Sequence, residues 1–228
     1  MRVVSLVPSI TETLLAWGVR PIAVTRFCEQ PSLPHVGGTK DPDVARIIEL
    51  RPDLVLVNDQ ENRVEDHDAL VAAGMEVHVV RMDALGDVAP ALQELAARVA
   101  TEAPEVDLPP PRAVDLRAFV PIWKRPWMTI GDGTYGSSVL AHLGVANVFA
   151  GDGAYPETTL EAASARRPDV VIAPSEPYPF AERHRTQLEQ VAPVVFVDGQ
   201  DLFWWGARTA SAVRRLDAVL DQKRSSRT

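Results

Sequence analysis

The stretch Arg51-Pro52-Asp53-Leu54-Val55-Leu56-Val57 returns as Arg167-Pro168-Asp169-Val170-Val171-Ile172-Ala173. In both places a helical pattern ends, Pro-Asp sets a turn, and a run of four apolar residues follows. Such a run, rich in branched residues and without polar alternation, reads as a strand buried on both faces, as in a parallel sheet covered by helices. A second pair of segments repeats with it: Leu14-Leu15-Ala16-Trp17-Gly18-Val19 and Leu140-Ala141-His142-Leu143-Gly144-Val145, each an apolar helix closed by glycine. Two copies of one αβ plan predict two lobes and a cleft.

Outward from these segments, strands are expected at 2–7, 22–25, 53–57, 76–80, 114–121, 127–130, 170–173 and 194–197. Helices are expected at 10–17, 42–50, 64–73, 87–102, 137–143, 159–166, 181–190 and 207–222. Ser9 followed by Glu12 forms a capping-box pattern. Residues 104–111, Pro-Glu-Val-Asp-Leu-Pro-Pro-Pro, fix φ and remove donors, so they predict a stiff linker. The expected organisation is an N-terminal lobe over 1–103, the linker at 104–111, and a C-terminal lobe over 112–228.

The chain has 228 residues, 46% of them hydrophobic, and a formal net charge of −8. That acidic balance argues against a nucleic-acid partner. The tail Lys223-Arg224-Ser225-Ser226-Arg227-Thr228 reads as a solvated end. No run approaches the roughly 20 apolar residues of a membrane helix, so no membrane insertion is expected. Met1 leads straight into a strand, which gives the expectation of a cytoplasmic chain, or an extracytoplasmic one if a leader has been removed. Cys28 is the only cysteine.

Twelve of the fourteen aromatic residues follow the linker, and many stand where a strand hands over to a loop. In open α/β sheets ligands sit outside the carboxyl ends of the strands. Rings there, with polar neighbours such as Lys124, Arg125, Glu176 and Gln200, suit a large, flat or partly apolar ligand. Along an extended Trp204-Trp205 segment, one ring at most faces inward.

Three rival chemistries are weaker. Gly131-Asp132-Gly133-Thr134-Tyr135-Gly136 matches a dinucleotide fingerprint, with Asp152 near the place of a ribose-binding acid, and leaves an NAD-type enzyme as the alternative. Consecutive Glu65, Asp66, His67 and Asp68 point in different directions on a helix and predict no metal site. No nucleophile elbow is present, so no catalytic residue is assigned.

Taken in order, Val3-Val4-Ser5-Leu6-Val7-Pro8-Ser9-Ile10-Thr11-Glu12, Val36-Gly37-Gly38, the Ile47–Val57 run, Asp132-Gly133-Thr134-Tyr135 and Gly144-Val145-Ala146-Asn147-Val148-Phe149-Ala150 resemble the substrate-binding proteins of ABC importers for vitamin B12, haem and iron-siderophores. The cobalamin-binding branch is the most similar. This resemblance implies a non-catalytic receptor, with no intrinsic cofactor, holding a corrinoid, or alternatively haem or a ferric siderophore, between the lobes. Its partner would be an ABC importer permease, with the docking position near Val64, or the chain is an intracellular relative. Carried over by position, the ligand contacts are Pro8, Ser9, Arg26, Phe27, Cys28, Asn58 and Asp59 in the first lobe. Trp123, Trp127, Tyr135, Glu176, Tyr178, Trp204 and Trp205 are those of the second. The long helix that joins the family's lobes is not expected, because the proline linker occupies its place.

Overall fold

The computed structural model describes residues 1–225; Ser226, Arg227 and Thr228 of the tail lie outside the described residues. The chain divides into two compact units. One contains Met1–Met82, Gly86–Val106 and Trp205–Ala207; the other contains Asp83–Leu85, Asp107–Trp204 and the chain from Arg208 onward.

In the first unit the order is β1 (Val3–Ser5), α1 (Pro8–Ala16), β2 (Ala23–Val24), α2 (Val44–Leu50), β3 (Leu54–Asn58), α3 (Val64–Ala72), β4 (Val77–Val80) and α4 (Val88–Arg98). The strands form one parallel sheet in the order β2-β1-β3-β4. Its core joins Val4, Leu6, Ile47, Val55, Val57 and Leu70.

The second unit runs β5 (Leu116–Phe119), β6 (Pro121–Trp123), β7 (Trp127–Thr129), α5 (Tyr135–His142), β8 (Val145–Asn147), β9 (Glu157–Thr158), α6 (Leu160–Ala165), β10 (Val170–Pro174), α7 (Arg185–Leu188), β11 (Val194–Val197), α8 (Gly199–Phe203) and α9 (Thr209–Ser225). A parallel sheet in the order β11-β10-β5-β8 carries the unit, and β6-β7-β9 make a small antiparallel sheet. The α/β class with largely parallel sheets is therefore observed. No helix is present over 102–115. Among the described residues no helix is long and apolar enough to cross a membrane.

The repeated Arg-Pro-Asp does the same work in each unit. Arg51 and Arg167 stand in the left-handed region at φ 47° and 53°. Asp53 then accepts the Arg2 N–H at 2.6 Å while its own N–H reaches Arg2 O at 2.8 Å. Asp169 does likewise with Arg117, both bonds at 2.8 Å. Each aspartate thus clamps the start of its own strand to the start of the central neighbour, β1 or β5.

Four local expectations are corrected. The Ser9–Glu12 capping box does not form: Pro8 starts α1 at its first turn, where a missing N–H costs nothing, and Val7 is the uncapped N-cap. The strand expected over 114–121 breaks after Phe119, because Pro121 cannot donate to the ladder and the chain turns into the β6–β7 hairpin. The helix expected over 181–190 is a tight turn at 182–184, with the Ala181 N–H donating to His184 Nδ1, followed by the short α7. The tail is not a solvated end throughout: Arg224 pairs with Asp115 at 2.8 Å and donates to Leu143 O at 2.6 Å.

Candidate functional site

In the first unit the residues read as ligand contacts stand at the carboxyl edge of the sheet, where β1, β2 and β3 hand over to loops. Pro8 and Ser9 begin α1, and both are buried; Ser9 Oγ has no hydrogen-bond partner. Arg26 and Phe27 form the exposed rim. The Arg26 guanidinium lies 4.9 Å from the Phe27 ring centroid and bonds Asp41 at 2.8 Å. Phe27 is 50% exposed, a large apolar surface left to water.

Cys28 and Asn58 are occupied with structure. The Cys28 thiol is buried and lies 3.2 Å from the hydroxyls of both Thr11 and Thr25. Burial pushes it up, the hydrogen bonds opposing in part, so the reactive thiolate is disfavoured. Asn58 Nδ2 donates to Val80 O at 2.8 Å, while its Oδ1 accepts the Gln60 and Glu61 N–H groups at 2.9 and 3.0 Å. Asn62 Oδ1 accepts the Asn58 N–H, and its Nδ2 reaches Thr39 O at 2.9 Å. The polar run after β3 is therefore a self-satisfied turn that ties the ends of β3 and β4 to the Thr39 loop. Asp59 remains exposed, 3.5 Å from Arg81 Nε. It opens on a pocket of about 220 Å³ with Val57, Val64 and Val79 in its wall and Arg63, His67 and Arg81 at its sides.

The second unit gathers an aromatic cluster where β5 and β10 end. Trp123 meets Tyr178 edge-on, with centroids 5.7 Å apart, and Trp127 stacks on Phe180 at 6.0 Å and 7°. Tyr178 lies 4.7 Å from Phe180, and His184 sits 5.5 Å from each of them. Phe180 is buried and anchors the group in the core with Phe119 and Val171, whereas Trp123 is 44% exposed. Trp123, Trp127 and Tyr178 are thus brought together. His184 joins them through the turn at 182–184, a placement that its spacing in the sequence does not reveal.

The remaining four stand apart from this cluster in their surroundings. Tyr135, the first residue of α5, is buried with its hydroxyl 3.4 Å from Thr209 Oγ1, and burial pushes its pKa to about 12. Glu176 is half-buried against Gly199, where a Cβ would strike the Glu176 backbone. Trp204 is half-buried beneath the Arg208 guanidinium, 5.2 Å from its ring centroid. Trp205, expected in the second lobe, belongs instead to the first unit and is 3% exposed. The next residue, Gly206, has φ 121°, and a Cβ there would overlap Thr13 Oγ1, which accepts the Ala207 N–H at 3.0 Å.

The glycine-rich segment 131–136 lacks the setting of a dinucleotide site. The strand before it is β7, antiparallel in a small sheet, instead of the parallel strand of a βαβ unit. Its polar groups are spent internally: Gly131 O accepts Thr134 Oγ1 at 2.9 Å and Ser137 Oγ at 2.5 Å, and Thr134 caps α5. Asp152 pairs with Arg166 at 2.5 Å. No cluster of metal-ligating side chains occurs among the described residues.

No protein-family model matches the chain. It is 27% identical to the vitamin B12-binding protein of Salmonella choleraesuis strain SC-B67 over 189 residues, 75% of this chain and 71% of that one. With the vitamin B12-binding protein of Pectobacterium carotovorum the identity is 26% over 227 residues, 89% of this chain and 81% of the relative. Among solved structures, the periplasmic vitamin B12-binding protein BtuF of Vibrio cholerae superposes with a TM-score of 0.75 at 20% identity, covering 96% of each chain. The periplasmic haem-binding protein BhuT gives 0.76 at 22% identity, covering 97% of this chain and 98% of its own. In sequence the chain is thus similar to vitamin B12-binding proteins, and in fold to periplasmic vitamin B12- and haem-binding proteins.

Proposed function

We propose that this chain binds a large metal-chelate small molecule without transforming it, a corrinoid in the first instance, and presents it to an ABC importer permease outside the cytoplasm. The observation that carries the reading is the aromatic cluster at the carboxyl edge of β5 and β10, anchored by buried Phe180 and ending in the exposed ring of Trp123. A rigid aromatic shelf of this kind offers a macrocycle contact area at low entropic cost. The names of the relatives agree with such a ligand, and solved neighbours described as periplasmic support the extracytoplasmic alternative over the cytoplasmic one.

Haem is the second reading, because BhuT and other neighbours bind it. Haem iron takes its axial ligand from a side chain such as His, Cys or Tyr. Tyr135 and Cys28 are buried and hydrogen-bonded in place, and burial pushes both toward their protonated forms, so a haem on the aromatic cluster would have to use Tyr178 or His184, whose Nδ1 already accepts the Ala181 N–H. A corrinoid carries its own axial base and needs only packing and hydrogen bonds. Within the site we keep Pro8, Ser9, Arg26, Phe27, Asp59, Trp123, Trp127, Glu176, Tyr178 and Trp204 as proposed contacts. Tyr135, Cys28, Asn58 and Trp205 are assigned to supporting the loops.

Titration of the purified chain with cyanocobalamin, haemin and a ferric siderophore, followed by tryptophan fluorescence, tests this. Saturable quenching by cyanocobalamin in the micromolar range or tighter is expected. Its absence for all three ligands overturns the receptor reading.

A further inference from the structure

Three cations border the aromatic cluster without a carboxylate partner among the described residues. Lys124 and Arg125 form the turn between β6 and β7, and Arg183 lies in the turn at 182–184. Lys124 Nζ is 5.7 Å from the Trp127 ring centroid. Arg183 donates to Pro179 O at 3.1 Å, a backbone contact that leaves its charge unbalanced. The acid beside it, Glu182, is held by Arg185 at 2.5 and 2.9 Å.

In a chain of net charge −8, Arg26, Arg63, Arg112, Arg166 and Arg224 each stand against a carboxylate, whereas the side chains of Arg2, Lys40 and Arg117, like that of Arg183, reach backbone oxygens. The cations are also close enough to be felt inside the cluster: after burial, Arg183 and then Lys124 hold the His184 imidazole below its ordinary pKa. An apolar ligand lying on Trp123 would strip water from this edge and leave the three charges uncompensated, which is unfavourable. A ligand bearing a negative group converts the same edge into charge-assisted hydrogen bonds.

Resting on the receptor reading above, we propose that the β6–β7 turn and Arg183 recognise an oxyanion on the rim of the flat ligand. The shared chemistry is a carboxylate or phosphodiester oxygen; it belongs either to a carboxylated tetrapyrrole or to the nucleotide arm of a corrinoid. Arg125 is exposed and Lys124 is half-buried over the Trp127 ring, and neither belongs to the buried core.

Two matched pairs of probes test this: haemin against its dimethyl ester, and cyanocobalamin against cyanocobinamide, which lacks the phosphodiester arm. Each is titrated at low and high salt against the wild type, the double variant Lys124→Gln/Arg125→Gln, Arg183→Gln, and Trp123→Ala. The charged member of one pair is expected to bind about tenfold tighter than its partner, and to lose that margin in the double variant and at high salt. The pair that shows the margin identifies the oxyanion's source. Thermal midpoints of the double variant should match the wild type, since the turn is at the surface. Equal binding by the wild type and the cation variants, with weakening in Trp123→Ala, overturns the oxyanion inference and leaves the receptor reading standing. No binding by any probe removes both.

Discussion

Trp123 and Trp205 are the same residue type put to opposite uses. Trp123 leaves 44% of its surface in water at the end of β6, while Trp205 leaves 3%. Period-2 alternation at Trp204-Trp205 indicates that only one ring faces inward, but not which one. The choice depends on Gly206, whose φ of 121° lets the chain lie against Thr13 so that the Ala207 N–H reaches its hydroxyl. That contact spans almost the whole sequence and has no local signature. Trp205→Ala is therefore expected to cost on the order of 3–5 kcal/mol of stability, the range of large-to-small changes in a packed interior. Trp123→Ala should leave urea midpoints near wild type while weakening cyanocobalamin binding. The reverse pattern would move the binding surface away from β6.

At the scale of elements, the Arg-Pro-Asp repeat is where sequence and structure agree most closely. A four-residue apolar run after a Pro-Asp turn fits the middle of a covered parallel sheet, and β3 and β10 occupy it in their own units. Less legible were β8, β9 and α8, of three, two and five residues, too short for periodicity to register. The hairpin β6–β7 was hidden because its strands continue apolar runs and only Pro121 marks the break. The repeat also stores removable strain, because a non-glycine residue in the left-handed region costs roughly 1–2 kcal/mol. Arg51 and Arg167 are exposed at that conformation. Arg51→Gly and Arg167→Gly should each leave stability unchanged or raise it by up to about 1 kcal/mol, the entropy of glycine offsetting part of the relief. Asp53→Ala should lower it by about 1–3 kcal/mol, since it frees the Arg2 N–H from a charged acceptor. Denaturant unfolding of the three variants decides this, and a stable Asp53→Ala would deny the clamp its role.

At the scale of the whole molecule, the two compact units exchange short segments, Asp83–Leu85 and Trp205–Ala207, that no boundary in the sequence marks, and the loops that finish each unit were equally beyond reach. Whether Asn58 greets a ligand or caps its own turn depends on Val80 and Asn62, and whether His184 joins an aromatic cluster depends on a three-residue turn. Among the described residues each unit also buries a histidine that its surroundings bias toward the neutral form. His78 in β4 is pushed down by burial and then by Arg98, against the opposing carboxylates of Glu94, 3.7 Å away, and Glu76. His184 is pushed down by burial, Arg183 and Lys124, and its Nδ1 accepts the Ala181 N–H, a bond that protonation would break. A histidine whose folded pKa lies below the ordinary 6.5 takes up its proton first in the unfolded chain, so stability is full above about pH 6.5 and declines as the pH falls toward the folded values. Each group contributes a slope of up to about 1.4 kcal/mol per pH unit within that window. Carboxylates held down by arginines, such as Asp221 and Glu182, give up their stabilisation only below about pH 5, so they do not blur it. Urea midpoints measured at pH 7.5, 6.5 and 5.5 should therefore fall for the wild type, less steeply for His78→Gln and His184→Gln, and least for the double variant. Parallel curves for the wild type and the double variant would show that neither imidazole is held neutral by the fold.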